Sequence, residues 1–130
     1  MRETLLPIHT NTLAQLTHDA ARTFLYQGKC ANLPRFVVMN KNSIDAHVGL
    51  VQSALDIYDE GPKEGDDIVS LLHHRWQKVL RDGNWKHGTF DQMALTTPFF
   101  VVEDDLKPWQ KVYYDFVASV VKSLRGSILR

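Results

Sequence analysis

Residues 16–28 (LTHDAARTFLYQG) lie over residues 71–83 (LLHHRWQKVLRDG), 55 positions apart from Leu16 to Leu71, with Leu16/Leu71, His18/His73, Leu25/Leu80 and Gly28/Gly83 identical. A second block repeats at a larger spacing. Pro34-Arg35-Phe36-Val37-Val38 matches Pro98-Phe99-Phe100-Val101-Val102 at four of five positions, 64 residues on from Pro34 to Pro98. Helical patterns follow both blocks, over 42–57 and 108–123. A unit of helix, loop, short apolar strand and helix has too little to bury its apolar face against unless a second copy packs on it. The repeat therefore predicts one domain over residues 1–130, made of two degenerate repeats (13–57 and 68–123) joined by a linker at 60–67. The expected class is α-rich α+β: a pseudo-twofold tandem repeat with four main helices, two short strands paired near the axis and a ligand cleft at the seam.

Length and charge narrow the function classes. At 130 residues the chain is one domain by size, long enough for a real core. Fifteen Lys and Arg balance fifteen Asp and Glu, so no basic face is on offer for the phosphates of duplex nucleic acid. Cys30 is the single cysteine, which excludes an intramolecular disulfide, and no His/Cys spacing frames a zinc site. The first residues, MRETLLPIHT, hold only a short apolar run broken by Pro7, and no stretch approaches 18 apolar residues. The expected location is the cytoplasm, away from membranes.

Helix one is expected from a cap at Thr10 or Thr12 to Gln27, with Leu13, Leu16, Ala20, Phe24 and Leu25 inward and Gly28 as its C-terminal stop. Phe36–Met39 reads as a strand. Helix two starts at Asn42-Ser43, buries Ile44, Val48, Val51 and Leu55, and stops before Gly61-Pro62. Helix three is capped by Asp66 or Asp67, presents Ile68, Leu71, Leu72, Val79 and Leu80, and ends at Gly83. Phe99–Val102 reads as the second strand. Helix four begins near Asp105, carries Pro108 in its first turn and buries Val112, Phe116, Val120 and Leu124. The acids Glu103, Asp104 and Asp105 suit its positive N-terminus. The loop between Gly83 and Pro98 is nine residues longer than its counterpart between Gly28 and Pro34, and it contains Trp85-Lys86-His87-Gly88. Extra loop length in one copy of a repeat is where specificity resides.

In order, His73-His74-Arg75-Trp76, Gly83-Asn84-Trp85-Lys86-His87-Gly88, Pro98-Phe99-Phe100-Val101 and Leu106 to Lys111 resemble the motifs of the ryanodine receptor repeat domain, in its free-standing prokaryotic or phage type. The resemblance covers residues 68–123, with 13–57 as a degenerate first copy. His87 stands where that family has an aromatic, Val102-Glu103 where it has Pro-Tyr, and Tyr114-Asp115 where it has Asp-Arg. Ala21 occupies the place in the first copy that Trp76 holds in the second. The resemblance implies binding of an adenine nucleotide, an ADP-ribose-like molecule or a cyclic nucleotide in the inter-repeat cleft. It further implies a sensor or binding role in nucleotide-based conflict systems, such as a phage sponge that sequesters an immune second messenger.

On that reading Trp76 stacks the base, Trp85 and His87 close one wall, and Arg22, Arg75 and Lys86 meet phosphates. His73 and His18, also counted among the ligand-binding residues, occupy equivalent places, which favours a structural duty such as capping a loop carbonyl across the repeat. Trp76 has the competing reading of a core tryptophan with its N–H satisfied. Adjacent His73 and His74 point about 100° apart on a helix and do not share a metal. No Gly-rich phosphate loop, Gly-x-Ser-x-Gly or His-Glu-x-x-His is present, so no catalytic residue, metal or cofactor is expected. Two other classes remain: a protein-interaction module, monomeric or homo-oligomeric, anchored by the Trp85 loop, and a small hydrolase of a nucleotide conjugate with His87 or His73 as base.

Overall fold

The computed structural model of the chain describes residues 8–27 and 33–129. Gly28, the expected stop of helix one, and Cys30 lie outside the described residues. Four helices make up most of the rest: α1 (Thr10–Gln27), α2 (Lys41–Glu60), α3 (Ile68–Asp82) and α4 (Pro108–Leu124). Local chemistry sets their ends. Asn40 Oδ1 accepts the Ser43 N–H at 3.1 Å and Asp67 Oδ1 accepts that of Ser70 at 3.2 Å, each satisfying one of the orphan donors of a helix start. Pro108 opens α4, where Gln110 Oε1 accepts the Lys107 N–H at 2.8 Å. The turn after α3 passes its left-handed residue to Asn84 (φ 66) rather than to Gly83 (φ −87). α2 and α4 pack on each other in the middle, and each also packs on both α1 and α3.

Neither expected strand forms. Phe36–Val38 is a 3-10 turn, and residues 99–102 are irregular and lead into a second 3-10 turn at Glu103–Asp105. The backbone carbonyls there are taken by side chains: Pro98 by Gln110 at 2.7 Å, Phe99 by Gln77 at 2.8 Å, Val101 by His73 at 2.8 Å, and Pro34 by His18 at 2.7 Å. These bonds tie both segments to the helices, and the two segments do not pair with each other. The strands lie elsewhere and are two residues each. β1 (Ile8–His9) pairs in parallel with β4 (Ile128–Leu129), and β2 (Lys86–His87) pairs in parallel with β3 (Thr96–Thr97).

The two 3-10 turns are alike. Extended residues flank both, Arg35 and Met39 around the first, Val102 and Leu106 around the second. Each is preceded two residues earlier by a carbonyl bonded to a histidine, Pro34 to His18 and Val101 to His73. The spacing from Pro34 to Val101 is 67 residues, three more than the spacing of the matched sequence blocks. Helix four consequently starts at Pro108, and the acids at 103–105 lie in the turn before it.

The buried faces are rotated from expectation. On α1, Leu13, Ala14, Thr17, His18, Ala21 and Leu25 are buried, while Leu16 is 49% and Phe24 56% exposed. On α4, Gln110, Tyr113, Tyr114, Val117, Ala118 and Val121 are buried, whereas Val112 is exposed and Phe116, Val120 and Leu124 are half-buried. On α2, Val51 and Leu55 are buried as expected, with Ile44 and Val48 half-buried; on α3, Leu72 and Leu80 are joined in the core by His73 and Trp76.

The α2/α3 contact depends on a glycine. A Cβ on Gly49 would sit 2.6 Å from Val79 Cγ1, and valine in a helix has one strongly preferred rotamer. Helix propensity alone favours Ala over Gly by about 1 kcal/mol, but overpacking costs about 1–3 kcal/mol. Gly49→Ala is therefore expected to lower the urea unfolding midpoint; an unchanged or raised midpoint would show that the two helices part without cost.

Candidate functional site

Three imidazoles run through the core, and their bonds fix their tautomers. His18 Nε2 lies 2.7 Å from the Pro34 carbonyl, which only accepts, so Nε2 carries the proton and Nδ1 accepts from the Tyr113 hydroxyl at 2.7 Å. His73 repeats the arrangement, donating from Nε2 to Val101 and accepting at Nδ1 from Tyr114 at 2.7 Å. His47 donates from Nδ1 to the Ser43 carbonyl at 2.8 Å. His18 and His73 do each hold a loop carbonyl, but it lies in the histidine's own half of the chain and not across the repeat as expected. Burial is the largest cause depressing all three: it lowers His18 and His73 below the usual 6.5, and it takes His47, with the neighbouring His18 adding to the effect, down to about 3. Burial likewise raises Tyr113 and Tyr114.

Trp76 belongs to the core. It is 2% exposed, its indole N–H donates to the Ala46 carbonyl at 2.8 Å, and Phe99, Tyr114 and His47 surround its ring at centroid distances of 5.1, 5.8 and 5.8 Å. The stacking role gives way to the core role. Trp85 is also buried, at 5% exposure, packed on Phe90 and folded back over the end of α3, where a Cβ on Gly83 would come within 3.0 Å of its ring. Trp76, Trp85 and His18 do meet, together with His47, Pro34 and Phe99, around one small void at the seam. That void measures about 20 Å³, room for a single water. A nucleotide needs hundreds of Å³, so the seam as it stands is filled by the protein.

The other expected site residues are not brought to the seam. Arg75 is held by Glu60 through two bonds of 2.7 Å. The Arg22 Nε is buried with no hydrogen-bond partner among the described residues. Lys86 and His87 are exposed on β2. Two open grooves lie outside instead. One, of about 780 Å³, is lined by His87, Thr89, Phe100, Asp105, Lys107 and Gln110 among others. The other, of about 410 Å³, is lined by His73, His74, Gln77, Arg81 and Glu103 among others. Phe100, Val101 and Val102 line both.

Three glutamines that sequence reading passed over shape these surfaces. Gln110 and Gln77 hold the Pro98 and Phe99 carbonyls, as above. Gln92 ties the long loop to the first half, accepting the Asn40 N–H at 2.7 Å and donating to the Val38 carbonyl at 3.0 Å. Only Gln110 carried a signal, standing three residues after the N-cap where a capping box has Glu or Gln. The loop itself is braced by Asp91, whose Oδ1 accepts the N–H groups of Met93 and Ala94.

Comparison with protein-family models, curated proteins and solved structures finds no match. Among the described residues no three His, Cys, Asp or Glu side chains gather in a way that could hold a metal ion, and no helix is long and apolar enough to cross a membrane.

Proposed function

We propose that this chain binds a nucleotide-derived small molecule and returns it unaltered. The observation that carries the reading is the groove of about 780 Å³ at the start of α4, a volume typical of small-molecule sites. Its lining has the three things a nucleotide asks for: the Lys107 ammonium for phosphate, the Asp105 carboxylate for sugar hydroxyls, and the Phe100 ring for the base. The resemblance to the ryanodine receptor repeat, with 13–57 and 68–123 as its pseudo-twofold copies, supports the ligand class. The filled seam moves the proposed position outward to this groove. One concrete form is a phage sponge acting in the cytoplasm, sequestering an NAD-derived or cyclic nucleotide messenger of host defence.

A second reading, the protein-interaction module, has its own observation. Trp85 is buried and does not serve as an anchor, but Leu16 and Phe24 leave an exposed apolar stripe on α1 beside Phe116 of α4, whose ring lies 6.0 Å from that of Phe24.

Calorimetry with AMP, ADP-ribose and cyclic AMP, followed by mass spectrometry of the recovered ligand, tests the first reading. At least one should bind in the micromolar range and come back unchanged. Lys107→Gln should weaken it about 10- to 100-fold, the cost of one charge-assisted hydrogen bond. No binding by any of the three would end the reading; recovery of a cleaved nucleotide would replace it with hydrolysis, with His87 as the exposed base in the groove.

A further inference from the structure

The two grooves have the same chemistry twice. On one side of Phe100–Val102 stand Arg81, His74 and Glu103; on the other stand Lys107, His87 and Asp105. Each side thus offers one cation, one carboxylate and one exposed imidazole, and the buried His73 also lines the first. Neither the Arg81 guanidinium nor the Lys107 ammonium makes an ion pair among the described residues. Glu103 is the more engaged carboxylate, bonded to the Ser70 hydroxyl and 3.3 Å from His74 Nε2. The shared wall is three residues long, at most about 10 Å of extended chain. His73 holds its Val101 carbonyl, Gln77 and Gln110 hold the Phe99 and Pro98 carbonyls that lead into it, and Val102 is 68% exposed.

We infer that the two grooves form one site for a dinucleotide, two nucleoside units joined by a phosphodiester, lying across residues 100–102. This rests on the reading of the α4 groove as a nucleotide site. One half occupies that groove, with Lys107 on its phosphate and Asp105 on its sugar. The linking phosphate crosses at Val102, and the second half reaches the α3 side, where Arg81 meets the charge and Val101 supplies the apolar surface. A mononucleotide fills only half of this lining. The span is short enough for a single phosphodiester to bridge.

Titration of the whole chain with AMP and with the linear dinucleotide pApA tests the inference. The dinucleotide should bind at least tenfold more tightly than AMP. Arg81→Gln should remove most of that advantage while leaving AMP unchanged, and Lys107→Gln should weaken both. Equal affinities for the two probes, or an Arg81→Gln variant that binds pApA as the native chain does, would confine the site to the α4 groove and overturn the dinucleotide while the functional reading stands. If neither probe binds, the functional reading itself falls, and the inference with it.

Discussion

Trp76→Ala should cost about 3–5 kcal/mol of stability, the range for removing a large buried ring. The loss has two parts. The cavity forfeits packing against Phe99, Tyr114 and His47, and the indole N–H bond to the Ala46 carbonyl of α2 is lost. The presence of Ala21 at the matching place in the first half gives no protection. Ala21 is itself 1% exposed, so its surroundings are already closed around a methyl group, whereas those of Trp76 are built around an indole. Against a typical total of about 5–15 kcal/mol, the variant should fold with a thermal midpoint lowered by roughly 10–20 °C, and Trp76→Phe should recover part of it. Calorimetric unfolding of the three proteins checks this, and a Trp76→Ala midpoint within about 2 °C of the native value would remove the indole from the core.

Acid should destabilise the protein well above the pH at which carboxylates titrate. The unfolded chain takes a proton on His47 from about pH 6.5 downward, while the folded chain refuses it until about pH 3. Over that window the unfolded state binds more protons, so stability falls with falling pH by about 1.4 kcal/mol per unit for each such imidazole. His47 alone accounts for about 2 kcal/mol between pH 6.5 and 5. His18 and His73, both lowered, add to the slope. The groups facing His47 and His18 are each other, with Asp19 and Arg22 acting on His18 from its own helix. Protonating His18 would also deprive Tyr113 of its acceptor. Urea midpoints at pH 7.5, 6 and 5 should decline steadily, and His47→Gln should show a shallower decline; a flat profile would mean that these imidazoles are charged or hydrated in the native state.

The four helices were legible because Asn, Asp, Pro and Gly at their ends act through local hydrogen bonds and backbone geometry. Asp67 and Gly61 fall where sequence alone places a start and a stop, whereas α2 starts from Asn40 and not from Asn42-Ser43, and α4 from Pro108 and not near Asp105. The faces were not legible. α1 and α4 carry apolar side chains around more than half their circumference, and a search for apolar spacing selects Leu16, Phe24, Val112 and Phe116. The fold instead buries Thr17, His18, Gln110, Tyr113 and Tyr114, polar residues that enter the core because each finds a partner there. Those partners lie as far apart as His18 and Tyr113, so no local pattern announces them. The strands were not legible for a related reason: Phe36–Val38 and 99–102 have strand composition, but the segments are anchored by His18, His73, Gln77 and Gln110, which lie far from them in sequence. The equivalence of His18 and His73 did survive from sequence to structure, since both imidazoles perform the same pair of bonds. Trp85 sits in a long loop between glycines, a context equally suited to exposure and to plugging; the approach of Gly83 to its ring decides for plugging.

Tyr113 and Tyr114 are consecutive on α4, about 100° apart around its axis, and their hydroxyls meet imidazoles from two different helices, α1 and α3. One helix therefore works as a two-toothed key whose teeth enter separate locks. Substitution on the outward side of α4 leaves the key intact. Inserting or deleting a single residue between Gln110 and Tyr113 does not: it turns both hydroxyls by about 100° and shifts them 1.5 Å along the axis relative to the Gln110 bond to Pro98. Descendants of this sequence are consequently free to vary the composition of that stretch but not its length, and a one-residue change in length there would part α4 from α1 and α3 at once.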